Sequence, residues 1–250
     1  MRRKPKCVLI VGATSGIARA LAREFAQHQY SLLLAGRDAE ELQTQAADLR
    51  VRGRSRVETI VFDAADYDAH KTFWNEALQA CDGDLYGVVL CHGLMPPQEE
   101  LQNDLALART MVEVNYTSYV ALLNLAGEYF ETQRRGFVAA IGSVAGDRGR
   151  AGNYLYGSTK AALDVLLQGL RQRLAPVRVA VTTIKPGPID TGMTFGLDKL
   201  PLLASPERAA SDIFRAIRRR REIVYTPAPW RFIMLLLQLV PERVWKRLSF

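Results

Sequence analysis

Short apolar runs alternate along the chain with longer stretches of helical periodicity. The apolar runs are rich in Val, Ile and Leu, which is typical of strands buried on both faces of a parallel sheet. They cover Cys7–Val11, Ser31–Ala35, Val57–Phe62, Gly87–Cys91, Phe137–Ile141 and Val177–Ile184, and a short seventh run follows at Ile223–Tyr225. We therefore predict about seven buried strands.

The stretches between these runs are long enough to be right-handed crossover helices. They cover Ile17–His28, Ala39–Val51, Tyr67–Cys81, Asp104–Gln133 and Asn153–Leu174, and a further helix is predicted to begin at Pro206 and to end in the basic residues Arg218–Arg221. Residues 191–205 lack this regularity and are predicted to form an irregular loop. The alternation predicts an α/β fold: a Rossmann-type, doubly wound parallel sheet with helices on both faces.

The C-terminal residues form a different kind of sequence, so we expect a domain over residues 1–226 and an amphipathic tail over 227–250. The tail contains an apolar run, Phe232–Val240, which is too short to span a bilayer. Tryptophan and basic residues surround the run: Trp230, Arg231, Arg243, Trp245, Lys246 and Arg247. Two interpretations remain open for residues 229–248, peripheral contact with an anionic membrane or a buried helix at a subunit interface.

Composition adds limits to this prediction. The 250 residues are 48% apolar and 24% charged, which excludes a disordered chain. The net charge of +7 is compatible with nucleic acid, an anionic membrane or a phosphorylated ligand. The basic cluster Arg218–Arg221 ends a predicted helix, where cations favour the helix dipole, and no stacking aromatic residues accompany it. We therefore expect no nucleic-acid partner.

The three cysteines indicate a reducing compartment. Cys7, Cys81 and Cys91 are widely spaced, with neither a paired-cysteine motif nor zinc-ligand spacing. We expect them to be reduced structural residues in a cytoplasmic protein. If the tail binds a membrane, the protein would lie at the inner face of that membrane. No metal site is expected.

A glycine-rich turn follows the first predicted strand and opens the first helix. Its residues are Gly12, Thr14, Ser15, Gly16 and Ile17. Backbone N–H groups and the positive end of a helix dipole at such a turn suit the pyrophosphate of a dinucleotide. The turn therefore predicts a dinucleotide cofactor.

The end of the second strand bears on the choice of cofactor. Arg37 stands where an acidic residue would bind an adenosine ribose, and its guanidinium suits a 2′-phosphate. This favours NADP over NAD. Asp38 leaves NAD open, because a carboxylate one residue further along can serve the ribose or can simply cap the next helix.

Tyr156 and Lys160 are four residues apart and therefore share one face of a predicted helix. A free tyrosine is a poor acid near neutral pH, and a nearby ammonium group lowers the pKa of a phenol. Ser143 follows the fifth strand, which places its hydroxyl at the carboxyl edge of the sheet, where doubly wound folds bind ligands.

With these motifs in this order, residues 6 to about 225 resemble the short-chain dehydrogenase/reductase family. The resemblance implies interconversion of a carbonyl and a secondary alcohol with NADP, or with NAD, by an enzyme that forms a homo-oligomer. It implies a catalytic set of Ser143, Tyr156, Lys160 and Asn115. It also implies cofactor contacts by Asp63, Gly93, Tyr156, Lys160, Pro186, Gly187, Ile189 and Thr191, beside Arg37 and the glycine-rich turn.

The resemblance also implies individual roles. Tyr156 would exchange a proton with the carbonyl oxygen, and Ser143 would hydrogen-bond the same atom. Lys160 would lower the pKa of Tyr156 and hold the nicotinamide ribose, and Asn115 would position a water that returns protons. One departure from the family is His92, which stands where alanine is usual. His92 is either a structural residue or a contact to substrate or phosphate.

A weaker resemblance concerns the substrate. Residues 92–98, residues 192–194 and the Trp–Arg tail are similar to a subgroup that includes the reductase partner of decaprenylphosphoryl-ribose 2-epimerase, which implies a lipid-linked keto sugar. The loop would cover an apolar ligand with Met193, Phe195, Leu197, Leu200, Leu202 and Leu203. A soluble or acyl-chain ketone is an equally simple substrate. A protein that senses NADP without turnover is the alternative function.

Overall fold

A computed structural model describes residues 6–53, 55–196 and 200–248. Seven parallel strands form one sheet in the order β3-β2-β1-β4-β5-β6-β7. The strands are β1 (Cys7–Val11), β2 (Ser31–Gly36), β3 (Val57–Val61), β4 (Leu85–Leu90), β5 (Phe137–Ile141), β6 (Ala180–Pro186) and β7 (Ile223–Thr226). This order is that of a doubly wound sheet, as predicted.

Helices connect the strands and cover the sheet. They are α1 (Gly16–Gln27), α2 (Ala39–Gly53), α3 (His70–Ala80), α4 (Gln98–Asn103), α5 (Leu105–Val112), α6 (Ser118–Gln133), α7 (Tyr154–Leu174), α8 (Pro206–Arg218), α9 (Trp230–Leu239) and α10 (Glu242–Trp245). A π-helical turn, Glu113–Thr117, joins α5 to α6.

The alternation of side chains along β1 divides the core into two layers. Val8 and Ile10 belong to a buried cluster with residues of α1, α2 and α8, including Leu21 and Ile213. Leu9 belongs to the cluster on the opposite face, with residues of α3, α6 and α7. Because both of its faces are covered, β1 is apolar throughout, and this is why its sequence shows a run instead of alternation.

The element boundaries differ from the prediction by up to three residues, as at the start of α3, and three of the differences have a clear cause. β6 begins at Ala180 rather than Val177, because α7 continues into a 3-10 turn, Ala175–Val177, and Arg178 adopts a left-handed conformation. The predicted helix over Asp104–Gln133 is interrupted by the π-helical turn. Helix α4 was not predicted, because it is only 6 residues long.

The expectation of reduced cysteines is wrong for two of the three. Cys7, at the start of β1, and Cys81, at the end of α3, form a disulfide across a sequence separation of 74 residues. Their Cα atoms are 5.9 Å apart. Cys91 is free and buried, as expected of a structural cysteine. The sequence spacing concealed the pair because α3 folds back to bring its last turn beside β1.

The tail residues pack against the segment that follows β5. Trp230 and Met234 of α9 are buried against Val144. Trp245 of α10 donates a hydrogen bond from Nε1 to the carbonyl oxygen of Gly149 at 2.8 Å. The opposite side of α9 is apolar and exposed, through Phe232, Leu235, Leu236 and Leu239. Among the residues that the structure describes, no helix is long and apolar enough to cross a membrane.

Candidate active site

The topology gathers the predicted site residues at the carboxyl edge of the sheet. Strands β1 and β4 are neighbours, and the chain leaves them in opposite directions, which creates the crevice where doubly wound folds bind ligands. Gly12 follows β1, Gly93 follows β4, Ser143 follows β5 and Gly187 follows β6. These residues therefore meet along one edge although they are distant in sequence.

Two adjoining cavities contain most of the predicted residues. A cleft of about 200 Å³ is lined by Gly12, Thr14, Ser15, Arg37, Asp63 and Gly93, together with His92. A cavity of about 230 Å³ is lined by Ile17, Ser143, Tyr156, Pro186, Gly187, Ile189 and Thr191. Met193 lines both, so the two spaces adjoin. We call the first the dinucleotide cleft and the second the reaction cavity.

The dinucleotide cleft has the shape that a close backbone approach requires. Gly12 adopts a φ of +74°, and a Cβ there would lie 2.6 Å from the backbone nitrogen of His92. A Cβ on Gly16, the first residue of α1, would lie 2.7 Å from Cγ2 of Thr191. Glycine is therefore required at both positions. The open floor and the N-terminus of α1 fit a dinucleotide pyrophosphate.

Asp38, whose carboxylate leaves the choice between NADP and NAD open, caps a helix in the structure. The Oδ1 atom of Asp38 accepts a hydrogen bond from the backbone N–H of Glu41 at 2.9 Å, and this bond caps the start of α2. Arg37 is exposed and lines the dinucleotide cleft. Of these two charged residues at the end of β2, Arg37 lines the dinucleotide cleft and Asp38 does not.

Tyr156 lies on the first turn of α7, with its phenol buried in the reaction cavity. Burial raises the pKa of Tyr156 to about 12, and a hydrogen bond with the Ser143 hydroxyl opposes the rise. The Ser143 oxygen also accepts the backbone N–H of Ala145 at 3.1 Å, which fixes its position. The two hydroxyl groups therefore form a protonated pair at neutral pH.

Lys160 lies one turn further along α7 and is buried behind the cavity wall. Its Nζ donates to the carbonyl oxygen of Ile141 at 3.2 Å and lies 5.7 Å from the centre of the Tyr156 ring. Burial lowers the pKa of Lys160 to about 8. Burial is thus the largest cause of the pKa of Tyr156 in this structure, and the lowering of that pKa by Lys160 stays a prediction.

Asn115 is fully buried in the π-helical turn between α5 and α6. Its Oδ1 accepts the backbone N–H of Leu94 at 2.7 Å, and its Nδ2 donates to the Leu94 carbonyl at 2.7 Å. A Cβ on Gly93 would lie 3.2 Å from Oδ1 of Asn115 and 3.4 Å from Nζ of Lys160. Asn115 thus holds the chain after β4 close to Lys160. Such π-turns occur frequently at functional sites.

His92 combines structural contacts with a place in the dinucleotide cleft. Its ring stacks on Tyr119 with the centroids 4.2 Å apart, and its Nε2 lies 3.0 Å from the Ser118 hydroxyl. Its Nδ1 is buried and has no hydrogen-bond partner among the described residues. The structural interpretation accounts for the ring stack and for the contact of Nε2. It does not account for Nδ1, which can accept a hydrogen bond from a ligand.

Sequence reasoning missed part of the reaction cavity. Met95, Arg150, Asn153 and Trp230 line it, together with Met193 and Leu200 of the predicted covering loop. Leu197 of that loop lies outside the described residues. Phe195 is 90% exposed and does not line the cavity. The sequence predicts for Trp230 a place in a tail that contacts either a membrane or a partner subunit, and only the packing of α9 against Val144 reveals that it also lines the cavity.

Comparison with known proteins identifies the family. Residues 6–199 match the family model described as short chain dehydrogenase. The chain is 36% identical over 241 residues to an uncharacterized oxidoreductase of Mycobacterium tuberculosis, covering 96% of each chain. It is 34% identical over 207 residues to sulfoacetaldehyde reductase 2 of Chromohalobacter salexigens, covering 82% of this chain and 79% of that one.

The solved structures agree on the fold. A short-chain dehydrogenase from Sphingobium yanoikuyae, solved in complex with NADPH, superposes with a TM-score of 0.79 at 24% identity, covering 95% of this chain and 97% of that one. The match of the family model spans most of the chain, and the sheet order agrees with it. The chain therefore belongs to the short-chain dehydrogenase/reductase family and is an oxidoreductase that uses a nicotinamide cofactor.

Proposed function

We propose that this oxidoreductase interconverts a carbonyl and a secondary alcohol with NADP(H). The observation that carries the proposal is the hydroxyl pair of Ser143 and Tyr156, which lines a cavity adjoining the dinucleotide cleft. A carbonyl oxygen placed between these hydroxyls would leave its carbon facing the cleft. The name of the sulfoacetaldehyde reductase relative supports the same reaction class.

The proposed roles follow from the hydrogen-bonding capacity of each group. The bound nicotinamide supplies or accepts the hydride. The Tyr156 hydroxyl donates its proton to the carbonyl oxygen, and Ser143 stabilises the charge that develops on that oxygen. Lys160 donates one N–H to Ile141, which leaves two for ribose hydroxyls. Asn115 positions Gly93 and Leu94, and a water held between its amide and Lys160 would return protons to the site.

The preference for NADP rests on Arg37. Its guanidinium suits bidentate binding of a 2′-phosphate, whereas Asp38, which caps α2 through Oδ1, does not line the dinucleotide cleft. The remaining predicted contacts, Asp63, Ile189 and Thr191 among them, line the two adjoining cavities and would hold the adenosine and nicotinamide ends.

Replacement of Tyr156 by Phe tests the reaction. Tyr156→Phe should lower kcat for a reduced carbonyl by about 10²- to 10⁴-fold, the usual contribution of a general acid, and should leave NADPH affinity intact. Tyr154→Phe is the matched control, because that phenol is 43% exposed and contacts Gln102 instead of the cavity. If no carbonyl is turned over while NADPH binds tightly, the protein senses NADP without catalysis.

We also propose that the exposed apolar face of α9 contacts an anionic bilayer at the inner surface of the membrane and that the substrate is hydrophobic, such as a lipid-linked keto sugar. The face is formed by Phe232, Leu235, Leu236 and Leu239. Exposed Arg231, Arg243, Lys246 and Arg247 lie on the same segment and complement anionic headgroups. The same helix places Trp230 in the reaction cavity, so a lipid would enter from the membrane side.

Vesicle sedimentation tests the contact. The wild type should sediment with anionic vesicles and be released by about 0.5 M salt, which screens surface charges. The double variant Phe232→Ser/Leu236→Ser should stay in the supernatant, whereas Val51→Ser, at an 83% exposed position on α2, should sediment. If the double variant instead converts a homo-oligomer to a monomer and vesicles never bind, the face is a subunit interface.

A further inference from the structure

The reaction cavity contains polar groups that the proposed proton and hydride chemistry does not use. Arg150, Asn153 and Trp230 all line it. Each carries a buried polar atom without a hydrogen-bond partner in the described part of the chain: Nε of Arg150, Oδ1 of Asn153 and Nε1 of Trp230. Buried polar atoms are nearly always satisfied, so three in one cavity indicate a ligand that satisfies them.

Arg150 is the charged member of this set. Burial lowers the pKa of its guanidinium, which still stays ionised near neutral pH. The acidic residues of the neighbouring segments have other partners. Asp147 contacts Lys185 at 2.5 Å, and Glu242 contacts Arg148 at 2.8 Å. No ion pair to Arg150 occurs within residues 6–53, 55–196 and 200–248, so these residues supply no acidic partner for its charge.

Packing holds the other two groups in place. Trp230 is buried against Val144 and Met234, and its indole lies on Gly187, where a side chain would overlap the ring. Asn153 precedes α7, but its side chain does not cap the helix. The indole N–H can therefore donate, and the amide oxygen can accept, toward a ligand in the cavity.

We propose that Arg150 binds an anionic group of the substrate, so that the substrate class is a carbonyl compound bearing a carboxylate, sulfonate or phosphate. Trp230 and Asn153 contact its polar atoms between that group and the carbonyl. This inference rests on the proposed carbonyl reduction and adds a residue that selects the substrate. A guanidinium is suited to the task because it binds such oxyanions through two parallel hydrogen bonds.

The rest of the cavity wall is apolar and includes Met95, Val144, Met193 and Leu200. An anionic group on a lipid and one on a small soluble molecule would present the same oxygens to Arg150. The inference therefore concerns the anion, and the source of the anion is determined by experiment.

A matched pair of substrates tests the inference. We would compare an oxoalkyl phosphate with the corresponding neutral oxoalkyl methyl ether, using the full chain with NADPH. Arg150→Met should raise KM for the phosphate about 10- to 100-fold more than it raises KM for the ether, as expected for loss of a charge-assisted hydrogen bond to the anion. Arg150→Lys should recover part of the loss.

The control must remove the same charge without touching the cavity. Arg231 is exposed beside Trp230 and does not line the cavity, so Arg231→Met should have the kinetics of the wild type. An equal change for the phosphate and the ether in Arg150→Met, or an equal effect of Arg231→Met, would overturn the inference. The first outcome would mean that Arg150 only supports the structure of the cavity. The second would mean that the net positive charge of the surface attracts the phosphate at long range.

Binding without turnover separates this inference from the proposed reaction. Hexyl phosphate has no carbonyl and should bind the NADPH complex of the wild type at least 10-fold more tightly than that of Arg150→Met, measured by calorimetry. If it does so while no carbonyl is reduced, the anion site stands and the proposed reaction fails. If neutral ketones are reduced but hexyl phosphate binds both proteins equally or neither, the reaction stands and the anion site fails.

The source of the anion follows from chain length. Inorganic phosphate, hexyl phosphate and dodecyl phosphate would each be used as competitors of the oxoalkyl phosphate. Inhibition that strengthens steeply with chain length indicates a lipid-borne anion, because each buried methylene adds apolar contact in the cavity. Inhibition that is independent of chain length indicates a small soluble anion. In both cases the inhibition should disappear in Arg150→Met, and inhibition that persists there would contradict the inference.

Discussion

The Ser118 hydroxyl lies 3.0 Å from Nε2 of His92. The same hydroxyl lies 3.1 Å from Nε2 of His70, so it bridges two imidazole rings. Nδ1 of His70 faces the carbonyl oxygens of Asp66 and Tyr67, which only accept hydrogen bonds, so this nitrogen carries a proton. In the neutral His70 ring, Nε2 then accepts from Ser118, and Ser118 in turn accepts from Nε2 of His92. Nδ1 of His92 is then an acceptor without a hydrogen-bond partner among the described residues, in a ring that lines the dinucleotide cleft.

We expect His92 to stay neutral throughout the working pH range. Burial, the Lys160 charge and His70 lower the pKa of His92 to about 3. Between this value and the ordinary pKa of about 6.5, the unfolded chain binds the proton more readily than the folded one. Stability from this group is therefore full above about pH 6.5 and is lost as the pH falls toward 3. Nitrogen NMR should show an unchanged Nε2–H tautomer of His92 from pH 5 to 8.

Urea unfolding at several pH values checks the thermodynamic side of this prediction. His92→Ala should reduce the loss of stability between pH 6.5 and 4. A titrating His92 signal near pH 6, or identical slopes for the wild type and His92→Ala, would contradict the predicted pKa.

Lys160 should make NADPH binding dependent on pH. Its ammonium form is the one that can donate to cofactor hydroxyls, and burial places its pKa at about 8. The Kd for NADPH should therefore be constant below about pH 7.5 and should rise above pH 8 as the proton is lost. Tyr156, with a pKa of about 12, should not contribute in this range. Fluorescence titration from pH 6 to 9.5 measures the effect.

A Lys160→Met variant provides the comparison. It should bind NADPH more weakly than the wild type at pH 7, with a Kd that does not change between pH 7 and 9. If the rise in Kd above pH 8 persists in Lys160→Met, another group titrates, and the assignment of Lys160 to the ribose is wrong.

The Cys7–Cys81 disulfide should stabilise the fold. It closes a loop over a sequence separation of 74 residues, and a bond of this kind typically contributes about 2–4 kcal/mol by restricting the unfolded chain. Protein that is purified without reductant and then denatured should show one reactive thiol per chain, that of Cys91. Reductant should lower the free energy of unfolding of the wild type. It should leave the free energy of unfolding of Cys81→Ser unchanged, because that variant has no disulfide to reduce. Three reactive thiols before reduction would contradict the pairing.

The sequence predicted the fold because its main signals are local. Each buried strand is an apolar run, and the turn from Gly12 to Gly16 identifies the cofactor edge wherever the rest of the chain goes. The same locality gave Ser143, Tyr156 and Lys160, since two of them share a helix and the third follows a strand. These residues could be placed without any knowledge of long-range packing.

Several of the missed features depend on contacts between distant segments. The π-helical turn at Asn115 lies within residues whose apolar pattern predicts one continuous helix over Asp104–Gln133. The burial that sets the pKa of Tyr156 comes from the packing around α7. Trp230 enters the reaction cavity only because α9 folds back, held by Arg148 and by the bond from Trp245 to Gly149. A tryptophan beside arginines has the same sequence pattern whether it lines a cavity or lies on a membrane surface.

Arg37 should determine the choice between NADPH and NADH. It lines the dinucleotide cleft, and the neighbouring Asp38 carboxylate caps α2 through Glu41. A charge-assisted contact between guanidinium and phosphate is worth roughly 1.5–3 kcal/mol, so Arg37→Ala should raise the Kd for NADPH about 10- to 100-fold and leave the Kd for NADH nearly unchanged. Fluorescence titration of both cofactors measures this difference.

Two controls make the result specific to the 2′-phosphate. Arg37→Lys keeps the charge but loses the bidentate geometry, so its Kd for NADPH should fall between those of the wild type and Arg37→Ala. Asp38→Asn keeps a side-chain oxygen that can still cap α2, so it should retain the preference for NADPH. A wild type that prefers NADH, or a loss of NADH affinity in Asp38→Asn, would transfer the ribose contact from Arg37 to Asp38. The N–H of Glu41 would then have to share the Asp38 carboxylate with the ribose, and the start of α2 would be expected to shift when NADH binds.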